Sequence, residues 1–565
     1  MTSNRLDLAL EASDTTAPQT STPGAASPLV TRHLSLVTPR VAFFTPLSPV
    51  ESGISFYSEE LLPVLARALD LDVYVDGYTP ANAAALGAVR VRDAREYERA
   101  RRRRPYDAVI YQLGNSPAHA YMYDRGLREP GIVVLHDVVL HHLHLWMAVN
   151  RGRRKEYIAT LEQLYGARGR EIARLVQRGQ TPPALFDFPL VEPVLEAARV
   201  VLVHNATSAE RVRALRPGTD VRVVPMGVPL PGLPPREEAR ARLGVPPEAF
   251  LVVSHGHITP YKRLDVALRA FRRLLVARPD AHFLIAGSGA PNSLAALDRQ
   301  IGYLGLGRRV RRLGFVPAAT VADLLAAADC CVNLRYPSAG ETSASLLRIM
   351  GGGLPVLVSD AGSFRELPDD CCVKVPVGRL EEELLAEYLV ELADNAPLRA
   401  ALGCRARRFV AERHSLERAA AGYLDALGVV VGREMLLPEG AIRPPVPPIP
   451  GGTSPGVGVP SEEATAEGTP ASCSPQDWGA GGAVAVRNHV APDGVVGGAG
   501  EPTDPDLLVA VADALDELGL AGHGPTERGV AAELVALGCG APADGAGMRG
   551  KERGWRRVVS RARRR

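Results

Sequence analysis

Residues 335–367 read RYPSAGETSASLLRIMGGGLPVLVSDAGSFREL, and the order of residue types here decides the fold. A turn carrying Pro337, Ser338 and Gly340 comes first, then the carboxylate Glu341, then the small hydroxyl residues Thr342, Ser343 and Ser345. Leu346, Leu347, Ile349 and Met350 follow as an apolar helical segment ended by Gly351 to Gly353, and Pro355 to Val358 is a short apolar strand. Loop, helix and strand in that order form one unit of an alternating α/β fold. A helix that opens in Thr and Ser aims unpaired N–H groups and the positive end of its dipole at whatever precedes it, which suits a phosphate. Phosphate alone gives no reason for an acid at the lip. Glu341 beside an anion site fits a ligand that also carries hydroxyl groups, such as a sugar phosphate. An ordinary helix cap after a surface loop is the plain alternative.

At 565 residues the chain exceeds one ordinary domain, and two or three cores are expected. With 46% apolar residues and a net charge of +2, most of it should fold, and nothing calls for a nucleic-acid partner. No apolar run is long enough for a transmembrane helix, and residues 1–35 lack the apolar centre of a signal peptide. The seven cysteines include the neighbours Cys330–Cys331 and Cys371–Cys372 in apolar strands, as expected of buried reduced thiols in a cytoplasm. Of 65 basic residues only four are lysine: Lys155, Lys262, Lys374 and Lys551. Each lysine therefore raises the question of what an ammonium does that a guanidinium cannot.

Taken in order, residues 1–36 are Ser/Thr/Pro/Ala-rich and read as a disordered leader. Strands are expected at Val41–Phe44, Asp72–Val75, Ala108–Tyr111, Ile132–Leu135, Val200–His204 and Val221–Val224, with a helix from Ile54 to Leu69. These make an N-terminal Rossmann-like domain over residues 37–228, and the Pro/Gly-rich PMGVPLPGLPP marks its end. A second such domain, residues 229–432, takes strands at Phe250–Ser254, His282–Ala286, Val310–Leu313 and Cys330–Leu334, and residues 404–428 as a last helix. Residues 433–502 are low-complexity linker, and 503–565 hold a small helical patch and the basic tail RGKERGWRRVVSRARRR. Two parallel-sheet halves leave a cleft between the carboxyl ends of their strands. His136-Asp137 lies just past such an end. With His141, His142 and His144 it invites a metal, but no cysteine or second carboxylate completes a ligand set.

Several pieces together resemble the family-4 retaining glycosyltransferases of GT-B fold, the group 1 glycosyltransferases. They are HGHITPYKR (255–263), LIAGSG (284–289), RRLGFVP (311–317), the Glu341 segment and GGGLPVLVSD (351–360) with an acidic residue after it. The first half adds TPLSPVESGISFYSEELLPVLA (45–66) and VVLHDVVLHHL (133–143), so the likeness covers about residues 38–430. It implies that Lys262 binds the donor diphosphate and that Glu341 holds hydroxyls of the donor sugar. It also implies that the N–H groups of Thr342, Ser343, Ala344 and Ser345 cap the phosphates, and that His136 meets the sugar from the other domain. Gly53 would lie near the diphosphate, Gly256, His257 and Gly287 would line the donor site, and Val316 would lie near the base. Two positions depart from the family: Ile349 stands where a second Glu usually contacts the ribose, and His257 stands where an Arg follows the Gly.

The resemblance implies retaining transfer of a hexose-type sugar from a UDP- or GDP-linked donor to a glycan, lipid or small-molecule acceptor. Cell-envelope or polysaccharide synthesis is the expected setting. No cofactor and no metal are needed, because Lys262 and the helix N-terminus supply the positive charge. The expected location is cytoplasmic, with a peripheral membrane contact through the basic tail as a further expectation. Two other readings stay open: a degenerate GT-B protein that binds nucleotide or glycan without turnover, and a sugar-nucleotide epimerase.

Overall fold

The computed structural model describes residues 38–180 and 183–438. The leader, the tail and nearly all of the linker assigned above lie outside the described residues. Two parallel sheets organise the rest. In the first, β1 (Arg40–Phe44), β2 (Asp70–Val75), β3 (Arg90–Asp93), β4 (Ala108–Leu113), β5 (Ile132–Leu135), β6 (Val200–Val203) and β7 (Val221–Val223) lie in the order β3-β2-β1-β4-β5-β6-β7. The second holds β8 (Leu251–His255), β9 (His282–Ala286), β10 (Val310–Gly314), β11 (Cys330–Asn333), β12 (Val356–Ser359) and β13 (Val373–Val375), ordered β10-β9-β8-β11-β12-β13. Both are doubly wound and reverse order beside their first strand, so ligand crevices form at the carboxyl ends of β1 and β8.

The strands read as continuous apolar runs because helices cover both faces of each sheet. β5, β6, β11 and β12 are buried at every position. β3 escaped the sequence reading, and the strand expected to hold Cys371–Cys372 begins instead at Val373, the two cysteines lying in the turn before it. Arg90-Val-Arg-Asp is an edge strand dominated by charge, and Val373-Lys-Val has only three residues. The thiols of Cys330, Cys331, Cys371 and Cys372 are free and buried, and burial pushes their pKa values up. No helix among the described residues is long and apolar enough to cross a membrane.

Residues 224–235 run between the domains without strand or helix. The expected last helix is two, Ala396–Arg413 and Leu416–Val431, broken at His414 and restarted by Ser415, which accepts from Arg418 N at 3.1 Å. The second returns to the N-terminal sheet, a crossover that assignment of 229–432 to one domain did not anticipate. Its Tyr423 is buried, receives a hydrogen bond from Gln112 Nε2 at 3.0 Å and meets Tyr57 O–H at 3.3 Å. The two crossings are tied together, His414 Nδ1 donating to Met226 O at 2.9 Å and Val228 N to His414 O at 2.8 Å.

Candidate active site

The carboxyl ends of β8 and β9 meet at two glycines. Gly256 has φ +124°, and a Cβ there would lie 2.6 Å from Lys262 Nζ and 3.4 Å from Ser345 Oγ. A Cβ on Gly287 would lie 2.0 Å from Gly256 O, so neither position admits a side chain. The backbone thus brings together the turn holding Lys262 and the helix Ala344–Gly351. Ser343 caps that helix, its Oγ accepting from Leu346 N at 3.3 Å. The N–H groups of Ala344 and Ser345 precede any intrahelical acceptor and stay available.

Lys262 has no ion-pair partner among the described residues. Burial, and then the charge of Arg335, pull its pKa down to about 7, with Glu341 opposing. Such an ammonium lacks a counter-ion, and a diphosphate supplies one. His257 lies on the exposed side of the turn with Nδ1 3.3 Å from Ser288 Oγ. Gly53 opens the helix Gly53–Leu65 with free space where a Cβ would be. Val316 is half-buried beside the exposed Phe315 at the end of β10.

Glu341 is buried and ion-paired with Arg335, and Ser338 Oγ donates to its second oxygen at 3.1 Å. Arg335 Nε is buried without a partner, leaving a donor beside the carboxylate. From the other domain Asp137 faces this pair. Burial and the charge of Glu341 push its pKa up, while its bond from Asn115 N at 2.8 Å works the other way. A second carboxylate beside one guanidinium thus favours a proton on Asp137.

His136 lies deeper. It donates from Nε2 to Gln112 Oε1 at 2.6 Å, packs 4.7 Å from His204 ring to ring, and leaves Nδ1 buried and unpaired. Burial holds it neutral, well below the ordinary histidine range. The other histidines take separate roles. His141 uses both nitrogens, on Phe188 O and Tyr157 O–H, each at 2.7 Å, while His142 pairs with Asn115 and His144 packs on Tyr123. Among the described residues no three His, Cys, Asp or Glu side chains are placed to hold one metal ion.

The domains touch through this site. Val138 N donates to Ala339 O at 2.8 Å, and Asn205 Nδ2 donates to Gly340 O at 2.8 Å and to Thr342 Oγ1 at 2.9 Å. Glu366 accepts from Ala206 N and Thr207 N, and Arg348 reaches Glu60 at 2.8 and 2.9 Å.

The family model of glycosyl transferases group 1 matches residues 249–395, the segment that carries Gly256, Lys262, Glu341 and the helix Ala344–Gly351. Residues 249–395 form a group 1 glycosyltransferase domain. Curated relatives of this chain include D-inositol 3-phosphate glycosyltransferases. That of Mycobacterium sp. (strain KMS) is 28% identical over 260 residues, 41% of this chain and 55% of the relative. That of Streptomyces coelicolor is 29% identical over 243 residues, 41% of this chain and 53% of the relative. The chain thus spans about half the length of these relatives. Among solved structures, sucrose-phosphate synthase from Thermosynechococcus elongatus superposes with TM-score 0.52 at 16% identity, over 70% of this chain and 99% of that one. Anabaena HepE in complex with UDP-glucose superposes with TM-score 0.52 at 15% identity, over 69% of this chain and all of that one. The fold is GT-B.

Within this GT-B fold, Ile349 is fully buried in the core between the domains. Its neighbour Arg348 looks across the cleft instead, toward Glu60, whose pKa burial raises to about 7. Arg335, Asn205, Glu366 and Arg348 carry the geometry yet were not singled out from the sequence as site residues. Asn205 alone offered a local signal, an Asx residue ahead of Ala-Thr-Ser just after an apolar strand.

Proposed function

We propose that the chain transfers a hexose-type sugar, with retention and without a metal, from a nucleoside diphosphate sugar to a hydroxyl-bearing acceptor. One observation carries this reading: Lys262, unpaired and pulled to about 7, meets the start of the helix Ala344–Gly351 across Gly256. That arrangement suits a leaving diphosphate, stabilised by the ammonium and backbone N–H groups while the acceptor attacks. Glu341, with lone pairs left beyond Arg335, suits the sugar hydroxyls. The UDP-glucose bound by HepE supports a uridine donor, and the relatives' name supports a small phosphorylated polyol among the acceptors to test. His136 acts, on this reading, through Gln112 and the floor of the site.

Incubation with UDP- and GDP-hexoses in the presence of EDTA, scored for nucleoside diphosphate release with and without inositol phosphate, tests the proposal. Release that needs an added divalent ion would sink the metal-free mechanism. The burial of Ile349 favours a second reading, a protein that binds nucleotide sugar without turnover. Saturable binding with no release by any donor would select it.

A further inference from the structure

Asp137 and His142 stand on the N-terminal domain, just past β5 and in the first turn of the helix His141–Asn150, and the donor reading uses neither. Both are half-buried. Asn115 ties them together, its N donating to Asp137 Oδ2 at 2.8 Å and its Nδ2 to His142 Nδ1 at 2.9 Å. A bond from Leu143 N to Asn115 Oδ1 at 3.0 Å fixes which way this amide points. An amide N–H only donates, so His142 Nδ1 accepts. Burial lowers the pKa of the ring and keeps it neutral, which puts its one proton on Nε2. That N–H has no partner among the described residues and is not sealed from solvent. Asp137 Oδ1 is likewise unbonded and open.

Contacts from the other domain set both residues against the donor half. Val138 N donates to Ala339 O at 2.8 Å, which holds Asp137 beside the loop of Glu341. Glu341 and Arg335 stand across from Asp137, and its charge bears on Tyr261 beside them. On its own domain His119 is the titratable neighbour: His119 Nε2 and Asp137 Oδ2 lie 3.0 and 3.2 Å from one point, where a Cβ on Gly114 would be. The His142 ring packs on Phe186 at 5.6 Å, and Phe186 meets Tyr261, next to Lys262, at 6.0 Å. Burial and the charge of Glu341 push the Asp137 pKa up to about 7. With Oδ2 already accepting from Asn115, the proton belongs on Oδ1. The wall thus offers two uncharged donors, an O–H and an N–H. Its Arg211 donates to Phe186 O at 2.7 Å and faces Asp187 and Glu192, while Arg335 is paired with Glu341. A phosphate here would meet two carboxyl groups and guanidiniums already committed.

We propose that Asp137 and His142 form the acceptor subsite and select an uncharged polyol or sugar, whose hydroxyl oxygens accept from Asp137 Oδ1–H and His142 Nε2–H, over a phosphorylated one. The assignment rests on the transfer proposed above and names its acceptor class. Phe186 and Tyr261 give the same ligand an apolar edge for the C–H face of its ring.

The test follows UDP release from UDP-glucose, with myo-inositol and methyl α-mannopyranoside as uncharged probes and inositol 3-phosphate and mannose 6-phosphate as their charged counterparts. In wild type at least one uncharged probe should show a KM about tenfold or more below that of its phosphate, because like charges face each other in the second case. His142→Ala should raise that KM by about tenfold, as for one lost hydrogen bond, with the Kd of UDP by calorimetry within about twofold of wild type. His142→Gln returns an N–H to the same side and should recover most of the loss, which a merely structural ring would not allow. Above pH 7 Asp137 gives up its proton, so the KM of the uncharged probe should rise in wild type and stay level in Asp137→Asn. Should His142→Ala not fold, this pH comparison decides. A charged probe that matches its uncharged counterpart, a UDP Kd that weakens in step with KM in His142→Ala, or the wild-type pH profile in Asp137→Asn overturns the subsite. So does a protein that binds UDP-glucose and uses neither uncharged probe. A wild type that binds no UDP-glucose instead brings down the donor reading on which the subsite rests.

Discussion

Lys262→Arg separates an ammonium with a tuned proton affinity from a permanent positive charge. In the free protein, burial and Arg335 bring Lys262 to about 7, so half the molecules carry a neutral amine near neutral pH. A bound diphosphate stabilises the ammonium through a charged hydrogen bond worth on the order of 2 kcal/mol. At about 1.4 kcal/mol per pKa unit, that lifts the bound lysine to roughly 8 to 9. Nucleoside diphosphate affinity is therefore flat just below pH 7. It falls by up to about tenfold per unit between pH 7 and 8.5, roughly 30-fold in all, and then levels. Phosphate titration does not confuse this window, because its second ionisation is complete above about pH 7.

Fold stability runs the other way. The unfolded chain holds the Lys262 proton more tightly, so this residue's contribution to stability rises with pH from about 7 toward the ordinary lysine value. Calorimetric titration of UDP from pH 6.5 to 9, beside thermal melts over the same range, measures both trends. Lys262→Arg should bind with a pH-independent constant, and Lys262→Ala should be weaker by about 2 kcal/mol and equally flat. A wild-type affinity that does not change with pH, or the same slope in Lys262→Arg, refutes the assignment of Lys262 to the diphosphate.

Glu341→Gln keeps the shape of the Arg335 contact but removes its charge. UDP affinity should change less than about twofold, while the extra affinity of UDP-glucose over UDP disappears in calorimetry. Equal loss for both ligands would show that Glu341 does not read the sugar. Gly256→Ala forces a side chain into a left-handed position and toward Lys262 Nζ at 2.6 Å. Nucleotide binding should fall at least tenfold with the domain still folded by circular dichroism, and wild-type affinity would refute the close packing at this turn. His136→Ala removes the partner of Gln112 beneath the cleft. A drop of several degrees in melting temperature is expected from about 2 kcal/mol of lost hydrogen bonding and packing. Lower turnover at an unchanged melting temperature would instead place the imidazole against the sugar.

Local chemistry alone determined the two-sheet plan and the C-terminal half of the site. Buried parallel strands are apolar runs, so β1, β5 and β9 were visible as such, and the helix at Ala344 announced itself through Ser343 and the glycines at its end. Lys262 stood out because arginine is otherwise the chain's cation. These signals lie within a few residues of one another, within the range that backbone and side-chain propensities govern. What depends on residues far apart in the chain stayed hidden. Asp137 facing the Arg335–Glu341 pair, Glu366 capping a helix about 160 residues away, and Arg348 reaching Glu60 exist only once the domains meet. The same holds for Ile349, an ordinary apolar helical position in the sequence that only packing shows to be sealed in the core. It also holds for His136, whose role turns on Gln112, His204 and Tyr423 from separate strands and a returning helix. Charge and burial are properties of a neighbourhood, and the tertiary structure assembles that neighbourhood from segments whose own sequence carries no mark of it.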